Sequence, residues 1–433
     1  MQIKYFILIL TIFVFSANAA IIHVPTDQLT IQAGIDAALD SDTILVADDT
    51  YTGTGNRDLN FGDKNLVLMS ENGPDVTTID CGGTSLDPHN AINLLNNQDS
   101  TTIIDGFTIQ NAYDTAGWYK AAIYCHMTSP TIRNCNISNN TCNGIFCYSY
   151  PSRIIVENCK LTNNYRCGLY VQSFSSAYVN HSEFSHNGYT GAYIYTSASI
   201  LTEVYNSLFH NNTYSGLEII QNMQFKNVHI NNNTFVENRN GLFIWMDFPK
   251  NENTPSLFIT GDDNTEINYN ISSNNTQRGI VIDFEPEYYD YDFLCNNSYG
   301  NPDGNFSFPY IFYPGDIYGT LSLDPLFCDA SNGDYRISAS SSCAPANNSC
   351  GTMIGALAVG CENCCVMRGD TDHDGEGPNV ADLVYLVNYL FKDGQALPCF
   401  EEGDIVVDSD ILVNDLVFLV NYVFKGGDAP PDC

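Results

Sequence analysis

The sequence predicts a mainly β protein: a long parallel β-helix followed by a small, acidic α-helical module. Three observations carry this expectation. Segments of a common pattern recur about every 24 residues through the middle of the chain. Each recurrence supplies a glycine and then a strand whose apolar residues alternate with period two. Finally, residues 381–394 and 414–427 are near copies of one another in a stretch where acids far outnumber bases.

Composition narrows the partners. The 433 residues carry 16 Lys+Arg against 50 Asp+Glu, a formal net charge of −34. Phosphate and anionic membrane surfaces need basic patches, so nucleic acid and such membranes are excluded as main partners. A hydrophobic content of 44% is enough for a folded core. Sixteen cysteines are many for a reducing compartment.

Residues 1–19 read as a secretory signal peptide. Lys4 is a short basic segment, Tyr5 to Phe15 is apolar, and Ala17-Asn18-Ala19 fits a small-x-small cleavage site. The mature chain is therefore expected to be secreted, outside the cell or at its surface, where disulfides persist. Sequons such as those at Asn136, Asn180 and Asn211 permit glycosylation, but turn chemistry explains the asparagines better.

The repeats follow the pattern [N/H]-x-x-apolar-x-x-N, then glycine and a strand. They centre on Ile137, Leu161, Phe184, Phe209 and Phe235, with glycines at Gly144, Gly168, Gly191, Gly216 and Gly241. Two columns with one period describe coils of a solenoid. The inward pairs are expected to be Ile145/Cys147, Leu169/Val171, Ala192/Ile194, Leu217/Ile219, Leu242/Ile244 and Ile280/Ile282. Asparagine tolerates left-handed backbone and can stack its amides as a ladder.

These residues resemble the secreted right-handed parallel β-helix family over roughly residues 21–358. Residues 30–53 look like that family's N-terminal cap, an amphipathic helix and then the first strand. Residues 323–348 and 354–357 look like its last turns, so the domain is set at 20–361. The resemblance implies the fold and an extracellular, often glycan-related role. It does not fix a reaction.

Residues 362–433 form the second expected domain. The first acidic loop places Asp370, Asp372 and Asp374 alternately in a tight turn with Gly375, where oxygen ligands suit Ca²⁺. Glu376 can add its carbonyl, and Asp382 closes the loop. The second loop offers Asp404, Asp408, Asp410 and Asp415, with Val406 in place of one carboxylate. The pair resembles a type I dockerin, two EF-hand-like half-motifs that dock onto a cohesin partner. The recognition positions of that family match Val380-Ala381 and Val413-Asn414, which are not its usual hydroxyl pair.

Cys135 and Cys159 lie one coil apart, and a buried thiol ladder is the expected state. Disulfides are expected toward the end of the chain: Cys328 with Cys343, Cys350 with Cys361, and Cys364/Cys365 with Cys399/Cys433, connectivity open. Asp87-Pro88-His89 is similar to a motif of alginate epimerases of this fold, although a turn at the start of a coil accounts for it.

The outward positions of the glycine-led strands form a candidate ligand face. Tyr124, Phe146, Tyr170, Tyr193, Tyr195, Phe243 and Trp245 lie there, where a solvent-facing sheet should be mostly polar. Flat rings at coil spacing suit stacking on sugar rings; cross-strand stacking that stabilises the sheet is the structural alternative. Glu218 and Asp283 lie in the same stripe, about two coils or roughly 10 Å apart, near the upper limit for an inverting carboxylate pair. The expected function is polysaccharide binding through this stripe, with attachment through the tail to a cohesin-like partner or surface scaffold. The alternative is a polysaccharide-degrading hydrolase, lyase or epimerase delivered by the same tail.

Overall fold

The computed structural model describes residues 19–432 except 115–116, 149–151, 198–199, 223–226, 248–264, 284–291, 308–317, 362–364, 393, 395–396, 398 and 408–410. The expected signal segment thus lies outside the described residues apart from Ala19. The chain divides into two compact units, Met1–Asp324 with Met353–Ala356, and Pro325–Thr352 with Leu357–Cys433.

The first unit is a parallel β-solenoid of three ten-stranded sheets. Sheet A starts at Ile21–Val24 and ends at Thr265–Asn268; sheet B starts at Asp49–Thr52 and ends at Asn297–Tyr299. Sheet C starts at Leu59–Asn60, ends at Phe306–Ser307 and is built from the glycine-led strands. The chain visits A, B and C in turn, so each strand pairs with its counterpart one coil later. Helix α1 (Ile31–Ala37) caps the start, its Thr30 side chain accepting from the Ala33 amide at 3.2 Å. A strand precedes this helix, contrary to the expected order: Ile21–Val24 pairs in parallel with Thr43–Val46.

The expected inward residues are buried. Ile145, Cys147, Leu169, Val171, Ala192, Ile194, Leu217, Ile219, Leu242, Ile244, Ile280 and Ile282 all belong to one core. Phe184, Phe209 and Phe235 stack at 4.8 and 5.1 Å between centroids.

The two asparagines of the repeat do different work. The first takes the left-handed turn from sheet A to sheet B, with φ of 54° at Asn134 and 51° at Asn158. The second builds a buried amide ladder. Asn140, Asn164, Asn187, Asn212, Asn238, Asn275 and Asn301 each donate Nδ2 to the next Oδ1, or receive it, at 2.9–3.3 Å. The repeat glycine is needed for close approach: a Cβ at Gly191 would stand 2.5 Å from the Gly216 carbonyl oxygen.

Cys135 and Cys159 are buried thiols, as are Cys81, Cys125, Cys142, Cys147 and Cys167. Desolvation pushes the Cys159 thiol well above its usual range, which keeps it protonated.

The second unit holds a small three-stranded sheet, Phe327–Asp329, Asp334–Ser338 and Val359–Cys361. The expected pairings of Cys328 and Cys361 are corrected here. The sheet brings their Cα atoms to 5.8 Å, and they are bonded to each other, while Cys343 keeps a buried thiol. Cys295, Cys350, Cys365 and Cys399 are also disulfide-bonded. Helices α2 (Val380–Phe391), α3 (Phe400–Gly403) and α4 (Val413–Lys425) follow. Leu383, Leu386, Ile405 and Leu419 form their shared core.

Candidate functional site

The outward side of sheet C brings the sequence-predicted aromatic residues onto one face. Parallel register aligns Tyr124, Phe146, Tyr170, Tyr193, Glu218, Phe243 and Val281 in one column. A second column contains Tyr195, Ile220, Trp245 and Asp283. Asp283 lies in the final long strand of this face, opposite Trp245, and its side chain is outside the described residues.

The face is not uniformly open. Phe146 is fully buried and Tyr170 is only 9% exposed. Tyr119 lies 5.6 Å from Phe146 and 6.4 Å from Tyr148, ring to ring. Tyr124, Tyr189 and Tyr193 pack on the same cluster, which sits outside the solenoid core. Phe146 therefore supports its neighbours and does not present a surface to a ligand. Tyr124, Tyr193, Tyr195, Phe243 and Trp245 remain half-buried.

Glu218 is the most unusual group on this face. It is 5% exposed, with Tyr193 before it and Phe243 after it in the column. The Trp245 indole N–H donates to its Oε1 at 3.1 Å, while its Oε2 is buried with no hydrogen-bond partner. Burial pushes the Glu218 carboxyl above its ordinary value, and the indole bond only partly offsets that. A protonated carboxyl with one oxygen uncommitted can deliver a proton to a bound oxygen.

Sequence reading missed the edge where sheet C begins. Two residues before each repeat glycine, a column runs Arg166, Tyr189, Tyr214, Arg239 and Gln277, each amide donating to the carbonyl before it. Tyr189 and Tyr214 stack at 4.9 Å and 7°. The Arg239 guanidinium lies 4.9 Å over Tyr214, and that of Arg166 lies 4.5 Å over Trp118. Desolvation, then the charge of Glu218, raises Tyr189 to about 12. Fixed spacing from the glycines was the signal that could have found this column.

In the second unit, Asp370, Asp372 and Asp374 bring carboxylate oxygens within 4.8 Å of one another. Asp370 is braced by the Asp374 and Gly375 amides at 3.1 and 2.9 Å. Asp372 Oδ1 is buried without a partner, and burial first, then the Asp374 charge, raises its pKa. These all-oxygen donors fit a hard divalent cation. Glu376 is exposed at the loop end, its amide donating to Asp374 at 2.8 Å. Asp382 acts as a brace: its carboxylate accepts from the Asn379 and Asp372 amides at 2.7 and 3.3 Å and caps α2.

The second loop is filled differently. Asp415 accepts from the Ile405, Val406 and Leu412 amides at 2.8, 3.0 and 2.8 Å. Arg368 donates to the carbonyls of Glu401 and Asp404 at 2.8 and 2.6 Å. Asp408 and Asp410 lie outside the described residues.

His89 of the Asp87-Pro88-His89 turn sits before the sheet C strand Ile92–Leu94. Its Nδ1 is 2.5 Å from Asp58 and its Nε2 is 3.0 Å from Asp87, which is also 3.7 Å from Arg57. That is a charged turn at the start of a coil. Among the described residues, no helix is long and apolar enough to cross a membrane.

Comparison with known proteins agrees with the solenoid. Residues 90–255 match the family model described as a right handed beta helix region. That stretch lies within the parallel β-solenoid of the first unit. No curated protein sequence matches the chain. Among solved structures, pectate lyase Pel9A is similar at 12% identity and a TM-score of 0.43, over 79% of this chain and 97% of that one. The Agl-KA catalytic domain is similar at 14% identity and a TM-score of 0.39, over 69% and 66%. The periplasmic alginate epimerase AlgG gives 12% identity and a TM-score of 0.33, over 65% and 76%. At such distances the site has to be read from its own residues.

Proposed function

We propose that this protein acts on an extracellular polysaccharide held along the outer face of sheet C, with Glu218 as the proton donor. The observation that carries this is the Glu218 carboxyl: buried, raised in pKa, fixed by Trp245 and left with one uncommitted oxygen. Tyr193, Phe243 and Trp245 supply ring surfaces beside it for sugar stacking. Glu218 would give its proton to the departing glycosidic oxygen as the bond to the sugar carbon breaks and a water, its proton taken by a second carboxylate, bonds to that carbon. Asp283, two coils on, is the candidate partner carboxylate.

The packed cluster beneath Tyr124 and Tyr193 favours a second reading, retention without turnover, because it makes a rigid platform whatever Glu218 does. Product analysis on a panel of polysaccharides separates the two. Glu218→Gln should keep retention and stop release of new chain ends. Release at the parent rate by that variant would remove Glu218 from the chemistry.

The remaining parts of the proposal concern delivery. The signal-like segment and the disulfides Cys328–Cys361 and others suit a secreted chain. The C-terminal unit is dockerin-like and takes Ca²⁺ in its first loop, where Asp370, Asp372 and Asp374 would hold it; the ion would fix the loop before α2. Arg368 and the amide-bound Asp415 favour one ion per chain over two. Val380, Val384 and Phe391 on α2 are exposed, as are Val413, Val417 and Phe424 on α4. Such apolar positions suit a cohesin-like partner. Calcium titration followed by native mass spectrometry tests the count, and two bound ions would overturn it.

A further inference from the structure

We propose that the polymer held on sheet C is an anionic polysaccharide, selected by Arg166, Arg239 and Arg278 at the edge where the sheet begins. This rests on the reading of sheet C as a polysaccharide site and names the charge class of that polymer.

The argument starts from the chain's arginines. With 50 acids against 16 bases, an arginine here should find a carboxylate. Arg57 pairs with Asp87, Arg133 with Asp105, Arg153 with Glu203 and Arg336 with Asp334. Arg368 is bound to main-chain carbonyls. Among the described residues, the arginines with neither an ion pair nor such a set of carbonyl partners are Arg166, Arg239 and Arg278. All lie one or two positions before the glycine that opens a sheet C strand. Chance placement would scatter them over three sheets.

Their surroundings hold them ready. Trp118 lies under the Arg166 guanidinium and Tyr214 under that of Arg239. A ring face stabilises the cation without occupying its in-plane N–H groups, which stay available for paired bonds to an oxyanion. Arg239 commits only Nε, to Gln277 at 2.7 Å. Arg166 Nη1 is buried with no hydrogen-bond partner, a donor that nothing in the protein satisfies. Arg166 and Arg239 stand three coils apart, about 14 Å along the solenoid. Arg278 follows one coil further. A polymer lying along sheet C would pass all three, with Tyr189 and Tyr214 as the wall between the first two. An uncharged polymer would leave these donors unmatched. At long range the net charge of −34 repels a polyanion, so recognition must come from contacts within a Debye length, about 8 Å at physiological salt.

The test measures binding of the full chain at 0.15 M salt (roughly the physiological value) to a polyuronate, a sulfated galactan and an uncharged glucan. Tighter binding of either anionic polymer than of the glucan is expected, by about tenfold or more. Preference for the polyuronate assigns a carboxylate, and preference for the galactan a sulfate ester. The double variant Arg166→Gln/Arg239→Gln should lose that advantage while keeping the parent's unfolding midpoint. The corresponding lysine variant should recover part of it. If the double variant fails to fold, Arg239→Gln alone, at an exposed side chain, gives the same comparison. Equal or tighter binding of the glucan would overturn the inference, as would unchanged polyanion binding in the glutamine variants. A Tyr193→Ala/Trp245→Ala variant separates the two readings. Loss in that variant alone leaves sheet C as the site and removes the arginines; no retention of any polymer removes both.

Discussion

Glu218→Gln should make the protein more stable, and the gain should grow with pH. The folded state holds the Glu218 carboxyl above its ordinary pKa through burial, so its neutral form is favoured on folding. That contribution is complete below the unfolded-state value and is lost as pH rises through the folded one. Above that window the folded protein carries a buried anion whose Oε2 has no partner. An unsatisfied buried acceptor costs on the order of 1–3 kcal/mol, more when charged. Glutamine keeps an oxygen for the Trp245 N–H, now 3.1 Å away, and removes the ionisation. The variant should therefore match the parent in acid and exceed it by about 1–3 kcal/mol at neutral pH. Urea midpoints measured from acid to neutral pH, followed by fluorescence of the two tryptophans, would read this. A variant less stable than the parent at neutral pH, or a difference independent of pH, would refute the account of a destabilised carboxyl. Residues that lower stability in the folded state often serve function, which links this measurement to the proposed proton donor.

Other outcomes follow from the same structure. Phe209→Ala removes the middle ring of a buried stack and should cost about 3–5 kcal/mol, read by denaturant unfolding. Asn187→Ala breaks the ladder at its centre, orphaning bonds to Asn164, Asn212 and the Leu161 carbonyl, and should cost about 2–4 kcal/mol by the same assay. With Ca²⁺ held in the first loop as proposed, added calcium should raise the melting temperature of the C-terminal unit, and Asp372→Asn should abolish that rise while leaving the solenoid transition unchanged. Trp245→Phe keeps the ring but removes the donor that lowers the Glu218 pKa, so the alkaline limb of any turnover profile should move to higher pH.

The solenoid was legible because its signals are local and repeated. Period-two alternation after each glycine named the inward residues, from Ile145 to Ile282, and burial agrees at each one. The asparagine pattern fixed both the left-handed turn and the amide ladder, since both depend on what one residue can do with its own backbone and its copy one coil away. The alternate aspartates of the first loop were legible for the same reason. What the sequence left open depends on contacts between distant segments. Phe146 read as an exposed ring, and Tyr119 and its neighbours bury it. Cys328 bonds Cys361 because a three-stranded sheet brings them together across 33 residues. The sequence by itself determined the coil, its core and its turns, because stacking identical units makes local chemistry global. Only the tertiary structure decided which outward groups are buried, uncommitted or unpaired. Those properties belong to the space between coils and the loops over them, and they are what make Glu218 and the arginine edge candidates for function.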